Sequence, residues 1–197
     1  MSLTRKILPA VVPALALALA AAPARAEATP EPGRRDSAAV TVVVDLSDRM
    51  LYVQQGDSVV RSYPVAIGSD AHPTPTGSFT VRRLIWNPRW VPPDAAWARG
   101  RTPKAPGSPG NPMGKVKIFF QEPDYYIHGT RDVDSLGQAE SHGCVRMQNS
   151  AVADVARIVM ENGGAPRPPT WWRRVLNRVT HTEEVRLTAP VTVTVRE

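Results

Sequence analysis

Residues 40–68 read VTVVVDLSDRMLYVQQGDSVVRSYPVAIG, and this stretch decides the expected fold. β-Branched and aromatic residues dominate its short runs, which is the composition of β-strands. The turn-like sequence QGD at 55–57 separates two of these runs, so the stretch predicts a meander of antiparallel strands. Further strands are expected at residues 78–85, 115–120 and 125–127, where the same composition returns.

A long irregular stretch runs from about Trp86 to Gly114. It is rich in Pro and Gly, and it includes Trp86, Trp90 and Trp97. Segments of this length without regular structure are uncommon in compact domains and often cover a site. We therefore expect the tryptophans to contribute both to the core and to a lid.

The helical pattern is confined to the later part of the chain. Three valines recur at helical spacing within residues 150–160, and a Gly-Gly pair follows. A second short helix is expected at 171–179. Residues 185–195 alternate as a strand, in which Pro190 indicates an edge position. The prediction is one mainly β domain with two short helices, over residues 39–197, ending in a helix-strand extension.

The N-terminal segment, residues 1–26, has the layout of a secretory signal peptide. Basic residues precede a short apolar run, and the small-residue sequence ARA follows it. Residues 27–38 are rich in Pro, Glu and Arg and are expected to form a flexible tether. An uncleaved anchor is the alternative, although the apolar run is shorter than the roughly 20 residues of a membrane span. The protein is thus expected in the periplasm or cell wall.

The net charge gives no indication of nucleic-acid binding. The whole chain carries +6, but loss of Arg5, Lys6 and Arg25 with the signal peptide would leave about +3. No long Lys/Arg run and no basic aromatic stripe is present in the sequence. A mildly positive surface is compatible with a polyanionic cell wall.

Cys144, the only cysteine of the chain, lies in the sequence SHGCVRM at 141–147. A thiol is a good nucleophile as the thiolate, which a nearby histidine or cation favours. His142 and Arg146 are each two residues from Cys144, so an extended backbone would place all three on one face. Gly143 has no side chain, and backbone N–H groups around it could bind a substrate oxyanion.

A second histidine, His128, lies in IHGT at 127–130, at the end of a predicted strand. The loop between His128 and Cys144 is long enough to bring the two segments together. One of His128 and His142 could then act as the base for the thiol while the other supports the loop. Spacing alone leaves these two roles open, and His72 is expected to be solvated.

Two other interpretations of these residues stay open. Cys144 could be a small buried core residue, although its His, Gly and Arg neighbours favour a reactive thiol. His128, His142 and Cys144 could instead bind zinc, with Asp132 or Asp134 as the fourth ligand. The sequence contains no CxxC or HxxxH spacing that would support such a metal site.

The two segments 127–130 and 141–147 resemble the catalytic signature of the L,D-transpeptidases, the YkuD-like domain. The sequences TPTGSF at 74–79, NPRWVPP at 87–93 and GNPMG at 110–114 are similar to other parts of that family. The resemblance covers most of the chain after the tether. It implies a mainly β catalytic domain of the β-sandwich or barrel-like type, without a metal or other cofactor.

The family resemblance also implies roles for individual residues. Cys144 would be the nucleophile and His128 its general base, oriented by a backbone carbonyl near Gly129. The remaining implied site residues are Ser141, His142 and Gly143 around the nucleophile and oxyanion, and Arg146, Trp90 and Asn111 as substrate-binding residues.

The implied substrate is a peptidoglycan stem tetrapeptide. The thiolate would attack the carbonyl of the third residue, an L centre, and release D-Ala. An amine of a neighbouring stem, or of an outer-membrane protein, would then accept the acyl group. Alternatives are a carboxypeptidase that uses water, a hydrolase that releases wall-linked protein, a non-catalytic wall-binding protein and an exported redox thiol protein. A redox role would lack a resolving cysteine.

Overall fold

The computed structural model describes residues 39–197 and places them around a mixed eight-stranded β-sheet. The strands are β1 (Val40–Asp45), β2 (Met50–Gln55), β3 (Ser58–Pro64), β4 (Ile67–Gly68), β5 (Gly77–Trp86), β6 (Val116–Gln121), β7 (Tyr125–Thr130), β8 (Ala139–Ser141), β9 (Val145–Gln148) and β10 (Glu183–Arg196), and the helices are α1 (Asn149–Asn162) and α2 (Pro169–Asn177). The sheet order is β3-β2-β1-β10-β5-β6-β7-β9, and β4 pairs with β8 separately. The mainly β prediction, with two helices, is confirmed.

The N-terminal meander is confirmed. β1 pairs antiparallel with β2, and β2 with β3, so the three runs form consecutive strands. Val42, Val44, Leu51 and Val53 are fully buried, because alternate residues of β1 and β2 face the core. The expected signal peptide and tether, residues 1–38, lie outside the described residues. Neither helix within 39–197 has the length and apolar content of a membrane span.

The last strand is central in the sheet, and the edge position expected from Pro190 is wrong. β10 pairs in parallel with β1 on one side and antiparallel with β5 on the other. Pro190 is tolerated because the pairing with β5 is interrupted between Arg186 and Val191, and the pairing with β1 begins only at Thr192. No ladder donor is therefore needed at the proline. The strand of the expected C-terminal extension, β10, is therefore part of the main sheet.

Trp86 is a core residue, as expected for some of the tryptophans, but it lies at the end of a strand rather than in the irregular stretch. It ends β5, where it pairs with Val116 of β6, and its side chain is fully buried. Its indole Nε1 lies 3.3 Å from Met160 Sδ of α1, and its ring meets Trp171 of α2 edge-on at 6.0 Å. Trp86 thus joins both helices to the sheet and belongs to the core rather than to the irregular stretch.

The pairing of β7 with β9 positions the two signature segments. These strands run parallel, with Ile127 opposite Val145 and His128 opposite Arg146. Cys144 directly precedes β9, so this register brings it beside the part of β7 that carries His128. The loop between the two segments is long because a parallel pair needs a crossover connection.

Candidate active site

A cleft of about 780 Å³ contains both signature segments. Its floor is formed by β6 and β7, and its rim by the irregular stretch between β5 and β6. His128, His142, Cys144 and Arg146 all line this cleft, as does Trp90. The structure therefore brings together most of the site residues expected from the sequence.

His128 is held in one orientation by the backbone. Its side chain is buried, and Nδ1 lies 2.8 Å from the carbonyl oxygen of Gly129. Since a carbonyl only accepts, Nδ1 carries the proton and Nε2 is left as an acceptor. Burial lowers the pKa of His128 to about 3, so the ring is neutral at physiological pH. A neutral imidazole with an unprotonated Nε2 is the form that can take a proton from a thiol.

Cys144 is half-buried, and its Sγ lies 3.3 Å from the carbonyl oxygen of Asp124. Burial raises the pKa of the Cys144 thiol above its ordinary value. Hydrogen bonds from Tyr126 and the positive charges of Lys117 and Arg146 favour the thiolate and act against that rise. The resting site thus has a neutral thiol and a neutral imidazole in one cleft, and the charges of Lys117 and Arg146 act on both.

Ser141 and Gly143 shape the backbone that presents the thiol. The Ser141 hydroxyl accepts a hydrogen bond from the Gly143 N–H at 3.0 Å and donates to the Cys144 carbonyl at 2.5 Å. Gly143 has φ +98°, and a Cβ there would come within 2.8 Å of the Tyr125 ring. The Gly143 N–H is therefore occupied by Ser141, while the Cys144 N–H donates to no acceptor within residues 39–197.

His142 has a different environment from His128. It is exposed, and its ring stacks on Trp97 of the irregular stretch at a centroid distance of 4.0 Å and an angle of 24°. His72 is exposed, as expected, and its ring lies 4.9 Å from that of His142 at a tilt of 31°. The contact with Trp97 connects the irregular stretch to the loop that carries Cys144. Of the two histidines, His128 is the one whose geometry suits a base.

The three expected substrate-binding residues are not equivalent. Arg146 is partly buried in the cleft wall, and its guanidinium lies 4.0 Å from Asp132. Trp90 lines the cleft, where a β-bridge to Lys104 holds its backbone. Asn111 lies behind the wall, and its amide Nδ2 donates to the carbonyls of Pro88 and Ala105. Asn111 therefore maintains the shape of the irregular stretch, and its side chain is not among those that line the cleft.

Two cleft residues, Lys117 and Tyr126, were not identified from the sequence. Tyr126 is two residues before His128 on β7, so the two side chains share a face. Lys117 lies opposite His128 on β6 and interrupts a run of buried apolar residues. The alternation of side chains along β7 could have identified Tyr126, and the residue opposite His128 on the neighbouring strand could have identified Lys117.

The alternative zinc site lacks a ligand set in the described part of the chain. Among residues 39–197, no three His, Cys, Asp or Glu side chains converge as a metal ion would require. His128 already donates Nδ1–H to a carbonyl, and His142 is stacked at the rim.

Comparisons with known proteins agree with this geometry. Residues 39–191 match the YkuD family model, the L,D-transpeptidase catalytic domain. Two similar relatives are the proteins named as L,D-transpeptidase YkuD in Bacillus licheniformis and Bacillus subtilis. The first is 32% identical over 65% of this chain and 66% of its own length, and the second 30% identical over 60% and 59%. The chain thus spans slightly less than two thirds of these relatives.

A solved structure shows the same fold. The L,D-transpeptidase from Mycobacterium smegmatis superposes with a TM-score of 0.51 at 17% identity, over 80% of this chain and 58% of the other. The likeness supports the mixed β architecture described above. Together with the family match over most of the chain, it leads to one assignment: the chain belongs to the YkuD family of L,D-transpeptidase catalytic domains.

Proposed function

We propose that this protein is a peptidoglycan L,D-transpeptidase with Cys144 as its nucleophile and His128 as its general base. The observation that carries the proposal is the parallel pairing of β7 with β9, which brings both residues into one cleft in a chain of this family. The cleft is large enough for a peptide, and its rim is aromatic.

The first half-reaction forms an acyl-enzyme. His128 Nε2 takes the thiol proton, and Cys144 Sγ attacks the carbonyl carbon of the third stem residue. The Cys144 N–H, which has no other acceptor in the described chain, is suited to stabilise the oxyanion. The bond between the third residue and D-Ala then breaks, and the imidazolium returns its proton to the departing amine. The product is a thioester on Cys144.

The second half-reaction transfers the acyl group. An acceptor amine attacks the thioester carbonyl, loses a proton to His128 and displaces the thiolate. An amine on a neighbouring stem gives a 3→3 cross-link, and an amine on an outer-membrane protein gives a wall anchor. Trp97 and Trp90 on the rim favour an amine over water, because a covering loop excludes solvent from the thioester.

Arg146 has a supporting role in this scheme. Its position in the cleft wall suits a carboxylate of the acidic stem peptide, to which a guanidinium can bind through two hydrogen bonds. The same reaction requires access to the wall, so we include export through the N-terminal segment, to the periplasm or cell wall, in the proposal.

The test is product analysis after incubating the protein with a disaccharide-tetrapeptide, beside Cys144→Ala. Loss of D-Ala with a cross-linked dimer, absent in the variant, is the expected result. Tripeptide without dimer would overturn transfer in favour of the carboxypeptidase. An unchanged tetrapeptide with both proteins, together with an unreactive thiol, would favour the wall-binding alternative.

A further inference from the structure

Lys117 is a cation in the cleft without a carboxylate partner. It lies on β6 and lines the cleft beside His128 and Cys144. No Asp or Glu oxygen within residues 39–197 comes within 4.0 Å of its ammonium, whereas the neighbouring Arg83 pairs with Glu122. A partly buried charge is costly unless something compensates it. Such a charge indicates that an anion forms or binds nearby.

Tyr126 connects this cation to the sulfur. Lys117 Nζ lies 4.2 Å from the centroid of the Tyr126 ring, which is within cation–π range. The parallel register of β7 with β9 places Ile127 opposite Val145, so the preceding residues Tyr126 and Cys144 are neighbours across the two strands. Tyr126 also favours the thiolate form of Cys144 and so acts to lower the thiol pKa. The His128 ring also meets the Tyr126 ring, at a centroid distance of 5.5 Å and an angle of 63°. Tyr126 therefore contacts both the cation and the proposed base.

The resting charges make this arrangement chemically relevant. His128 is neutral, so no imidazolium is present to compensate a thiolate before proton transfer. Burial lowers the pKa of Lys117 to about 8, which still leaves the ammonium mostly charged at pH 7. Two other cations line the cleft, Arg146 in the wall and Arg101 near His142, and the acidic Asp124 acts on Tyr126. Arg83, behind Lys117, is already paired with Glu122.

We infer that Lys117 and Tyr126 form a thiolate-stabilising pair. Tyr126 donates its O–H and N–H to the anionic sulfur of Cys144, and Lys117 supplies the compensating charge and holds the phenol in place. The inference rests on the proposed role of Cys144 as nucleophile. Tyr126 contacts the reacting atom, while Lys117 is a positioning residue that acts through charge and through Tyr126.

The test is the rate of iodoacetamide alkylation across pH, measured by intact mass. Cys144 is the only cysteine, so one adduct reports one site. Lys117→Met should move the midpoint of the profile upward by about one pH unit. This is the lower end of the pKa shifts that a nearby opposite charge produces. The rate at pH 7 should fall only about threefold, because a more basic thiolate is also a better nucleophile.

Three further variants make the result specific. Tyr126→Phe should move the midpoint upward by about half a unit, since one donor is lost and the ring remains. Lys117→Arg should keep a profile close to that of the unaltered protein. Lys115→Met is the matched control, because Lys115 is on the same segment but lines a different, smaller pocket. It should leave the profile unchanged.

A wild-type profile in Lys117→Met would overturn the inference, as would an equal shift in Lys115→Met. If Lys117→Met does not fold, as judged by thermal unfolding, Lys117→Gln gives the same reading. Alkylation needs no stem peptide, so the result is independent of the proposed reaction. If the unaltered protein cross-links stems but Lys117→Met leaves the alkylation profile unshifted, the proposed function stands and the thiolate-stabilising pair is rejected. If Lys117→Met shifts the profile but the unaltered protein does not cross-link stems, the pair stands and the proposed function is rejected.

Discussion

Replacing Ser141 with Ala should damage both the stability and the chemistry of the site. The side chain is buried, and its hydroxyl makes two hydrogen bonds, from the Gly143 N–H and to the Cys144 carbonyl. Alanine removes both and leaves the Gly143 N–H unpaired. With about 1 kcal/mol for each bond and a further penalty for the unpaired donor, we expect a loss of about 2–3 kcal/mol in the free energy of unfolding. For a domain of this size, Tm should fall by about 4–12 °C.

Ser135→Ala is a matched control for this measurement. Ser135 is buried to the same extent but makes a single hydrogen bond, from Oγ to the Asp132 carbonyl at 2.7 Å. Its loss should cost about 1 kcal/mol, or about 2–4 °C in Tm. Thermal unfolding gives the stability of both variants, and D-Ala release from a tetrapeptide, assayed well below both Tm values, gives their activity.

The activity distinguishes a local role from a general one. Ser141→Ala should release D-Ala on the order of tenfold more slowly, because the loop that presents Sγ loses its internal support. Ser135→Ala should keep the unaltered rate. If Ser141→Ala were as stable and as active as Ser135→Ala, the hydroxyl would not be what holds the nucleophile loop.

Three more predictions follow from the same structure. Gly143→Ala should lower D-Ala release at least tenfold, because φ is +98° and a Cβ would meet a tyrosine ring at 2.8 Å; an unchanged rate would mean that the loop relaxes freely. Trp97→Ala should raise the ratio of hydrolysis to transfer in a product assay, since the ring that stacks on the nucleophile loop is lost; an unchanged ratio would remove the water-excluding role. The Asp48 N–H, together with Ser47 and Arg196, holds the pKa of the Asp45 carboxyl below its ordinary value, so its stabilisation is present above about pH 4 and is lost as pH falls through the lower folded pKa. Asp45→Asn should therefore flatten the acid side of the free energy of unfolding against pH, and an equally steep acid side would contradict this.

The parts of the fold that sequence could predict are those set by local pattern. The meander of β1–β3 follows from β-branched runs and a short turn, and α1 follows from its valine spacing. The association of His128 with Cys144 was also predictable, because two short segments carry the whole signature. In each of these cases, the residues that determine the structure are close together in the chain.

The errors concern residues whose environment is set by distant strands. Pro190 indicated an edge strand, but the interrupted pairing beside it is a property of β5 and β1. Trp86 was grouped with the irregular stretch, whereas its position is decided by α1 and α2. Asn111 and Lys117 could not be distinguished by polarity alone, because only the folded chain determines which one faces the cleft.

The central position of β10 has a consequence for how the protein folds. Thr41 of β1 pairs with Thr192 of β10, and the two residues are near opposite ends of the described chain, so the sheet is completed only by a contact of very long sequence separation. Pairing of this kind is slow to form, because most of the loop entropy is lost before the contact is made. Until residues 183–196 have paired, β1 and β5 each have one side without a partner strand, and both strands contain many apolar residues. Deleting the last strand would therefore divide the sheet through its middle and expose these edges to aggregation, instead of fraying one end.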